Sequence, residues 1–432
     1  MTRKARYLEA DRAQLGWDMV DLESQLASDH RARVVWAFVT SLDLSALYDR
    51  IRAREGLPGR PPPDPQIFLA LWLYATLEGV GSARHLDRLC QSDTAYRWLR
   101  GGVAMNYHDL SDFRVGHADV LDRLLTDSLT ALMAEGIVKL EEVAVDGTKV
   151  RAWAGRGSFR GAEKLARLER WARERVDQLR GSASDAGASE GRRRAAQQRG
   201  AEEVARRAGE ASHTLEKLRA EQAKRTKTHK KEEEAKKAKT EVKASVSDPE
   251  AWMMRFADGA VRAAYNIQLA VAPETGIIVA AATTDRRNDT GLAVPVVEQI
   301  KDRLKILPQR LLADSRYATK KDIVTLAGQG VTVYMPVPAD KPDAKPESQR
   351  KRDQNRSREP EAVKAWRRRM DQEESKAIYR RRGRIETVNG ILKGRGLGIM
   401  RVRSIAKVTA VVLMQALAHN LWRAHCLRAS PA

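Results

Sequence analysis

The pattern of apolar and polar positions divides the chain into a helical first part and a later part that mixes strands with helices. Between residues 30 and 137 apolar residues recur at helical spacing, and Asp64, after the Pro run at 61–63, marks the start of one strongly apolar helix. Three short segments follow, SARHLDRLC, DTAYRWLR and YHDLSDFRVGH, with a Gly101-Gly102 break before the third. We predict an all-helical domain. These three segments have the pattern of a helix-turn-helix, although short helical hairpins without a DNA-reading role are also common in all-α proteins.

The pattern changes near residue 138. VAVDGTKVRAW is rich in Val and Thr, and RAAYNIQLAVAPETGIIVAAATTD indicates two strands joined by a turn at 273–276. A helix (GLAVPVVEQIKDRL), a strand (RLLAD), a helix (KKDIVTLAGQG) and a strand (VTVYMPV) follow, with two final helices from about residues 375 and 404. This order predicts an α/β (α+β) domain in which helices flank a mixed sheet, and it is similar to the order of the ribonuclease H-like fold.

A charged insertion separates the first predicted strand from the second. Apolar residues repeat at heptad-like steps in two runs: Leu165, Leu168, Ala172 and Leu179, then Val204, Ala208, Ala211, Leu215 and Leu218. We predict a coiled-coil-like helical hairpin. Its tail, EQAKRTKTHKKEEEAKKAKTEVKAS, has almost no apolar face and is either a solvated helix or a disordered arm. The Pro-rich, charged run VPADKPDAKPESQRKRDQNRSREP is predicted to be a flexible linker.

These patterns define the predicted domain organisation. It consists of an N-terminal arm at 1–29, a helical domain at 30–137, a mixed-sheet domain assembled from 138–157 and 246–427, and the helical insertion at 158–245.

The net charge of the chain limits the kinds of partner that it is expected to bind. The 432 residues include 78 Lys and Arg against 57 Asp and Glu, a formal net charge of +21, which favours a polyanion such as nucleic acid. No run reaches the roughly 18 apolar residues of a spanning helix, and the N-terminus lacks the apolar core of a signal peptide. We therefore expect a cytoplasmic protein without a membrane partner. Two cysteines, Cys90 and Cys426, fit a reducing compartment and exclude a four-thiolate zinc site.

Two aspartates occupy positions suited to metal chemistry. Asp146 interrupts an apolar strand segment, and Asp314 ends the segment RLLAD. Two-metal phosphodiester transfer needs carboxylates from separate elements that converge on ions about 4 Å apart, and hard divalent ions take oxygen ligands. A strand-terminal Asp is also common as a turn or cap residue, so each aspartate alone leaves both interpretations open.

A third acidic residue belongs to a polar stripe. Tyr379, Arg382, Glu386 and Lys393 are separated by 3, 4 and 7 residues, which on a continuous helix places them within an arc of about 60°. The other side carries the apolar residues Ile385, Val388 and Leu392. In a functional interpretation Glu386 completes the metal site, Arg382 and Lys393 bind phosphates, and Tyr379 offers a hydroxyl or stacking ring to DNA. The alternative is a solvated face with an ordinary Arg382–Glu386 pair.

These motifs resemble a known family. YRRRGRIETVNGILK matches all four positions of Y-x2-R-x3-E-x6-K, the Tyr-Arg-Glu-Lys signature of bacterial insertion-sequence DDE transposases. GRPPPDPQIFLALWLYATLEGVGSARHLDRLC, AYRWLRGG and YHDLSDFR are similar to their InsH-type N-terminal domain, and VAVDGTKVRA resembles their first-Asp strand. The resemblance spans about residues 30–425, with the insertion and residues 336–370 poorly defined.

The resemblance implies a specific activity. Asp146, Asp314 and Glu386 would form a catalytic triad that holds two Mg²⁺ ions, with Mn²⁺ as a substitute. The enzyme would cut and rejoin double-stranded DNA at the terminal inverted repeats and the target, as a homodimer near the bacterial nucleoid. One position departs from the pattern: the usual Ala-Asp-x-Gly-Tyr reads ADSRY here, with Arg316 in place of a glycine that could adopt positive φ.

Sequence reading of DNA is assigned to the third segment of the helix-turn-helix. Its candidate contact residues are Tyr107, His108, Ser111 and Arg114. Three other functions fit some of the features: an inactive transposase-derived DNA-binding protein or repressor, a basic coiled-coil scaffold, and another ribonuclease H-like nuclease such as a resolvase. Asp285, Asn288 and Asp289 are secondary candidates, although Asp289 is equally suited to begin a helix.

Overall fold

The computed structural model describes residues 21–53, 61–181, 188–228, 242–338 and 354–429. Within them the first part of the chain is helical, as predicted. Its helices are α1 (Arg31–Thr40), α2 (Ser45–Tyr48), α3 (Pro65–Leu77), α4 (Ala83–Ser92), α5 (Thr94–Arg100), α6 (Tyr107–Gly116) and α7 (Ala118–Ala134). Most of the predicted N-terminal arm lies outside the described residues.

Helix boundaries in this part follow from local capping. Asp64 accepts a hydrogen bond from Gln66 N at 2.8 Å, and Pro65 takes the first turn of α3. Every residue of α3 except Gln66 is buried, so α3 is a central core helix rather than a one-faced surface helix. Gly101 ends α5 in the left-handed conformation, at φ 58°, which glycine adopts without a Cβ clash.

The later part contains a six-stranded mixed sheet. Its strands are β1 (Glu142–Arg151), β4 (Trp252–Arg255), β5 (Val261–Val271), β6 (Ile278–Thr284), β7 (Arg310–Leu312) and β8 (Thr332–Tyr334). The order is β6-β5-β1-β7-β8, with β4 pairing the first residues of β5. β1 is antiparallel to β5 and parallel to β7, which is parallel to β8. The predicted mixed sheet is confirmed, whereas β4 was not predicted.

Helices surround this sheet. They are α10 (Ala293–Leu304), α11 (Lys320–Gly328), α12 (Glu361–Met370), α13 (Glu373–Arg380), α14 (Gly383–Leu392) and α15 (Ile405–Ala429). Helix α12 falls within the poorly defined 336–370 region and was not predicted. Its buried residues Val363, Trp366 and Met370 recur at helical spacing, but arginines at 367–369 mask this period in the sequence. Most of the predicted linker, 339–353, lies outside the described residues.

The predicted helix from about residue 375 is divided in the structure. Arg381 N and Arg382 N donate to the carbonyls of Ile378 and Tyr379, at 3.1 and 3.0 Å, so a tight turn separates α13 from α14. Lys393 lies in a π-helical turn after α14. The prediction of one continuous helix was therefore wrong, although Tyr379, Arg382 and Glu386 of the predicted stripe still interact with one another.

Helix α15 joins the two parts of the molecule. It packs against α3, α6 and α7 on one side and against β6 on the other. By length and composition it could cross a membrane, contrary to the expectation from the sequence. However, 67% of its most apolar stretch is buried inside the protein. It is the one helix of this kind among the described residues. The helical domain and the sheet thus share one core.

The insertion forms the predicted hairpin from α8 (Ala162–Gly181) and α9 (Ala188–Thr228). Arg180 pairs with Glu202 at 3.1 Å, and Glu169 lies near Gly209, so the two helices run antiparallel. Two short strands close its base, β2 (Phe159–Arg160) and β3 (Ala244–Ser245). Leu218 of α9 packs on the sheet against Trp252, Met254 and Ala264. Residues 229–241, most of the Lys-rich tail, lie outside the described residues.

Candidate active site

The candidate site begins with Asp146 in the middle of β1. The strand is buried at Val143, Ala144 and Val145, and the Asp146 side chain retains 19% exposure. Its cross-strand neighbour is Leu269 of β5, so Asp146 lies on the sheet face that α14 covers. Ile385, Val388 and Leu392 dock α14 on that face, as predicted.

Two side chains from the end of the chain reach the Asp146 carboxylate. Arg382 Nη2 donates to Oδ1 at 3.1 Å, and Asn389 Nδ2 donates to Oδ2 at 2.9 Å. Arg382 Nη1 also donates to Glu386 Oε1 at 2.8 Å. The i,i+4 pair considered above is therefore real, but it is part of a bridge in which one guanidinium joins two of the candidate carboxylates. The Arg382 side chain is only 13% exposed, whereas that of Glu386 is 64% exposed.

Asp314 follows β7, the strand parallel to β1. Its Oδ1 accepts a hydrogen bond from Arg316 N at 2.8 Å, which closes a short Asx-type turn. Arg316 does not have a positive φ, since Lys305 and Ser404 are the two such non-glycine residues in the described part of the chain. The Ala-Asp-Ser-Arg-Tyr turn thus forms without the glycine that the family pattern places at 316.

Electrostatic effects connect these groups. Burial raises the pKa of Asp146, and the nearby charges of Asp314 and Asp289 add to the rise, whereas Arg382 opposes it. Burial also raises the pKa of Tyr379, which is influenced by Arg382, Asp314 and Glu386. Asp146, Asp314, Glu386, Arg382 and Tyr379 therefore belong to one charged site. Lys393 is exposed on the π-helical turn, with no side-chain contact to these carboxylates among the hydrogen bonds and ion pairs described.

The carboxylates of Asp146 and Glu386 bind a cation, but among the described residues they do not belong to a preformed metal-binding cluster. In the part of the chain that the structure describes, no group of three or more His, Cys, Asp or Glu side chains is arranged to hold a metal ion. Asp146 and Glu386 instead converge on the Arg382 cation. Asn389 Oδ1, a further oxygen beside Asp146, is buried without a hydrogen-bond partner. These oxygen donors are the type that hard divalent ions bind, provided that Arg382 releases at least one carboxylate.

Asp289 lies behind β1 and does not begin a helix. It is buried, precedes α10 by four residues, and accepts hydrogen bonds on Oδ1 from Asn266 Nδ2 and Gln268 Nε2, both at 2.9 Å. The interpretation of Asp289 as a helix-capping residue was therefore wrong. Asp285 and Asn288 are exposed on the same loop.

The candidate DNA-reading helix α6 presents part of the predicted set to solvent. A capping box of Asn106 and Asp109 fixes its start. His108 is exposed, while Tyr107 and Ser111 are half-buried, and the Arg84 guanidinium lies over the Tyr107 ring. Arg114 is different, because it is buried, donates to Gly81 O at 2.6 Å and lies over the Trp72 ring. Arg114 holds α6 in the core, and we remove it from the proposed DNA contacts.

Two comparisons with known families bear on the activity. Residues 245–421 match the family described as Transposase DDE domain. This part of the chain is therefore similar to a DDE transposase domain. Residues 20–115 match a second family, described as Transposase domain (DUF772), which covers most of the helical domain. The two transposase matches support a nuclease or transposase enzyme, of a family that generally uses divalent metal ions. No curated protein and no solved structure gave a significant match.

The candidate site also contains polar residues that sequence reasoning missed. Asn389 was missed because it belongs to the buried side of α14, between Val388 and Leu392. A buried amide in an apolar helix face would have indicated a polar partner on the sheet. Asn266 and Gln268 are polar residues in the largely apolar strand β5, and Gly147, a glycine inside β1, is a signal of a close approach.

Proposed function

We propose that this chain is an insertion-sequence transposase that binds the terminal inverted repeats of its element and catalyses DNA strand cleavage and strand transfer with two divalent ions, Mg²⁺ or Mn²⁺. One observation supports this most strongly. Asp146 of β1 and Glu386 of α14 converge on a single cation, the Arg382 guanidinium, near Asp314, which follows the adjacent parallel strand.

We also propose that the mixed-sheet domain has the ribonuclease H-like fold. The strand order β6-β5-β1-β7-β8 supports this, with the first three strands antiparallel and the last two parallel to β1. In this arrangement the middle strand β1 supplies Asp146, and its parallel neighbour supplies Asp314. Brought together with α14, these elements offer carboxylates from three separate parts of the chain.

Asp146, Asp314 and Glu386 would hold the ions. Bound divalent ions activate the attacking oxygen and stabilise the leaving oxygen of a phosphodiester. Before Asp146 and Glu386 can act as ligands, Arg382 must release one or both of them. The released guanidinium has the planar fork that pairs with a phosphate, which agrees with the phosphate-binding role assigned to Arg382. Exposed Lys393 is available for a second backbone contact.

The helical domain would read the terminal repeats. Tyr107, His108 and Ser111 of α6 remain the proposed contacts, and α4 adds exposed Arg84 and Arg88 next to them. Because two element ends must be joined in one reaction, we propose that a homodimer binds double-stranded repeat and target DNA. We infer a cytoplasmic location at the bacterial nucleoid, where that DNA is found.

Cleavage of labelled duplex DNA from the two ends of the element tests this proposal. With Mg²⁺, we expect the wild type to nick the end DNA, and Asp146→Asn, Asp314→Asn and Glu386→Gln to cut about 100-fold more slowly or not at all while still binding it. Matched controls are Asp371→Asn, just before α13, and Glu374→Gln, in its first turn, which both change exposed acidic residues. These should retain full activity.

Two outcomes would overturn parts of the proposal. If any of the three site variants cut end DNA at the wild-type rate, that residue is not a metal ligand. If the wild type bound repeat DNA selectively but never cut it with Mg²⁺ or Mn²⁺, the chain would be a DNA-binding protein derived from a transposase.

A further inference from the structure

A buried polar network lies behind the strand that carries Asp146. Gly147 pairs with Gln268 of β5, and successive residues of a strand point to opposite faces. Gln268 therefore faces away from α14, together with Asn266 two residues earlier. Both amides donate to Oδ1 of Asp289, which is 6% exposed. Gln268 Nε2 also donates to Asn266 Oδ1 at 3.2 Å.

The network continues to the turn that carries Asp314. The hydroxyl of Tyr317, three residues after Asp314, donates to Gln268 Oε1. Tyr317 is fully buried, and Tyr317 N donates to Asp314 O at 3.2 Å. A chain of hydrogen bonds thus runs from Asp289 through Gln268 and Tyr317 to the Asp314 turn.

The backbone of β1 lies against the same carboxylate. A Cβ on Gly147 would overlap the Asp289 carboxylate and would come within 2.6 Å of Gln268 Nε2. Gly147 is the residue directly after Asp146. Its close contact with Asp289 therefore fixes the position of the β1 backbone beside Asp146. One buried carboxylate is consequently linked to the supports of two candidate ligands: it lies directly against Gly147, next to Asp146, and it is connected through Gln268 and Tyr317 to the Asp314 turn.

We propose that Asp289 is a positioning residue that sets the separation of Asp146 and Asp314 through Gly147, Gln268 and Tyr317. A separation matched to a pair of ions matters because a displacement of about 1 Å can cost on the order of 100-fold in rate. This inference rests on the function proposed above. It assigns Asp289 no contact with DNA or with an ion.

The hydrogen-bond geometry predicts which variants matter. Asp289→Ala removes the acceptor for two buried amides, and Tyr317→Phe removes the link to the Asp314 turn while leaving the ring in place. Asp289→Asn keeps an oxygen that can accept from both amides. If Asp289 acts by positioning, Asp289→Asn should retain most of the metal affinity and cleavage activity that Asp289→Ala loses. Tyr317→Phe should lose about as much of both as Asp289→Ala.

The test uses the full-length chain and two measurements. Calorimetric titration with Mn²⁺ without DNA gives metal affinity, and end-DNA cleavage over a series of Mg²⁺ concentrations gives the half-maximal concentration. We expect Asp289→Ala and Tyr317→Phe each to weaken Mn²⁺ binding and to raise the half-maximal Mg²⁺ concentration by at least about fivefold, with unchanged DNA affinity. Asp289→Asn should fall within about twofold of the wild type. Asp302→Ala on the exposed face of α10 is the control.

The outcomes separate this inference from the proposed function. If the wild type bound Mn²⁺ no better than Asp146→Asn and did not cut, the proposed function would fail. If the wild type bound and cut but Asp289→Ala matched it in both measurements, the positioning role would be overturned. Equal losses for Asp289→Asn and Asp289→Ala would also overturn it, because charge rather than hydrogen bonding would then be responsible. Melting temperatures identify a variant that fails to fold, and Tyr317→Phe then decides the matter.

Discussion

Arg382 Nη2 lies 3.1 Å from Asp146 Oδ1, so the helical end of the chain is tied to the strand that begins its sheet domain. The same guanidinium binds Glu386. Arg382 thereby neutralises two carboxylates that would otherwise repel each other across a partly buried site. Under the proposed function Arg382 has two roles, since it holds Asp146 and Glu386 in place and then pairs with a phosphate of the DNA.

We predict that Arg382→Lys reduces end-DNA cleavage by about 10- to 100-fold, because an ammonium group cannot reproduce the planar fork with which the guanidinium reaches Asp146 and Glu386 at once. Arg382→Gln should lose more, since it also removes the charge opposite Asp146. Rates at saturating Mg²⁺ measure the effect, with Arg368→Lys on α12 as an exposed control. A wild-type rate for Arg382→Gln would exclude Arg382 from both roles.

Gly147→Ala should destabilise the protein. The added methyl group overlaps the Asp289 carboxylate, whereas a Cβ at Gly155 meets no atom within 4 Å. We expect Gly147→Ala to lower the free energy of unfolding by about 1–3 kcal/mol, as overpacking does in well-packed interiors. Gly155→Ala, at φ −74°, should be neutral or slightly stabilising. Denaturant unfolding of both variants measures the difference, and equal stabilities would show that Asp289 moves aside without cost.

His419 predicts a specific pH dependence of stability. It is buried in α15, its Nε2 hydrogen-bonds Gly276 O at 2.9 Å, and burial lowers its pKa from 6.5 to about 4. A depressed pKa means that the neutral ring stabilises the fold above pH 6.5 and that this contribution disappears as the pH falls towards 4. The loss amounts to about 3 kcal/mol, from roughly 1.4 kcal/mol for each pKa unit.

His419→Gln provides the measurement. Its amide can donate to Gly276 O but does not titrate, so the melting temperature should fall less steeply between pH 6.5 and 4 than that of the wild type. His425→Gln, at an exposed position of the same helix, is the control. Parallel curves for His419→Gln and the wild type would mean that His419 does not become charged on unfolding in this window.

The sequence predicted most elements because their local signals agree with the tertiary structure. The capped and strongly apolar helix α3, the glycine-ended α5 and the strands on either side of the 273–276 turn all appear near their predicted positions. Local signals failed at α12, where arginines mask the apolar period. They also failed between α13 and α14, where a tight turn keeps the same residue types as a helix.

The site was predictable in part for the same reason. Asp146 and Asp314 interrupt apolar strand segments, and the contrast between a charged residue and its apolar neighbours can be read directly from the sequence. The bridge from Arg382 to Asp146 spans 236 positions, and the network from Tyr317 through Gln268 to Asp289 depends on strand register and on which face each residue takes. Arg114 was wrongly predicted to contact DNA, because the sequence does not show that this basic residue of α6 is buried against Trp72.

The last prediction concerns the insertion, whose Lys-rich tail we expect to act as a sequence-independent clamp on DNA. Each phosphate neutralised by a protein cation contributes about 0.9 to the salt slope of duplex binding. Replacing the lysines between 224 and 243 with glutamine should therefore flatten that slope while leaving the preference for repeat DNA intact. Binding is measured from low to moderate salt on the full-length chain.

The structure supplies the matched control for this test. Removing the entire hairpin would expose Trp252, Met254 and Ala264, which Leu218 covers. Shortening the tip, by joining α8 after Ala172 to α9 before Ala208, keeps this packing, the buried base of the hairpin and the lysines. If the tail is the clamp, the shortened variant retains the wild-type salt slope. If the hairpin instead joins two protomers, the shortened variant changes mass in sedimentation, and the glutamine variant keeps its slope, which would exclude the clamp.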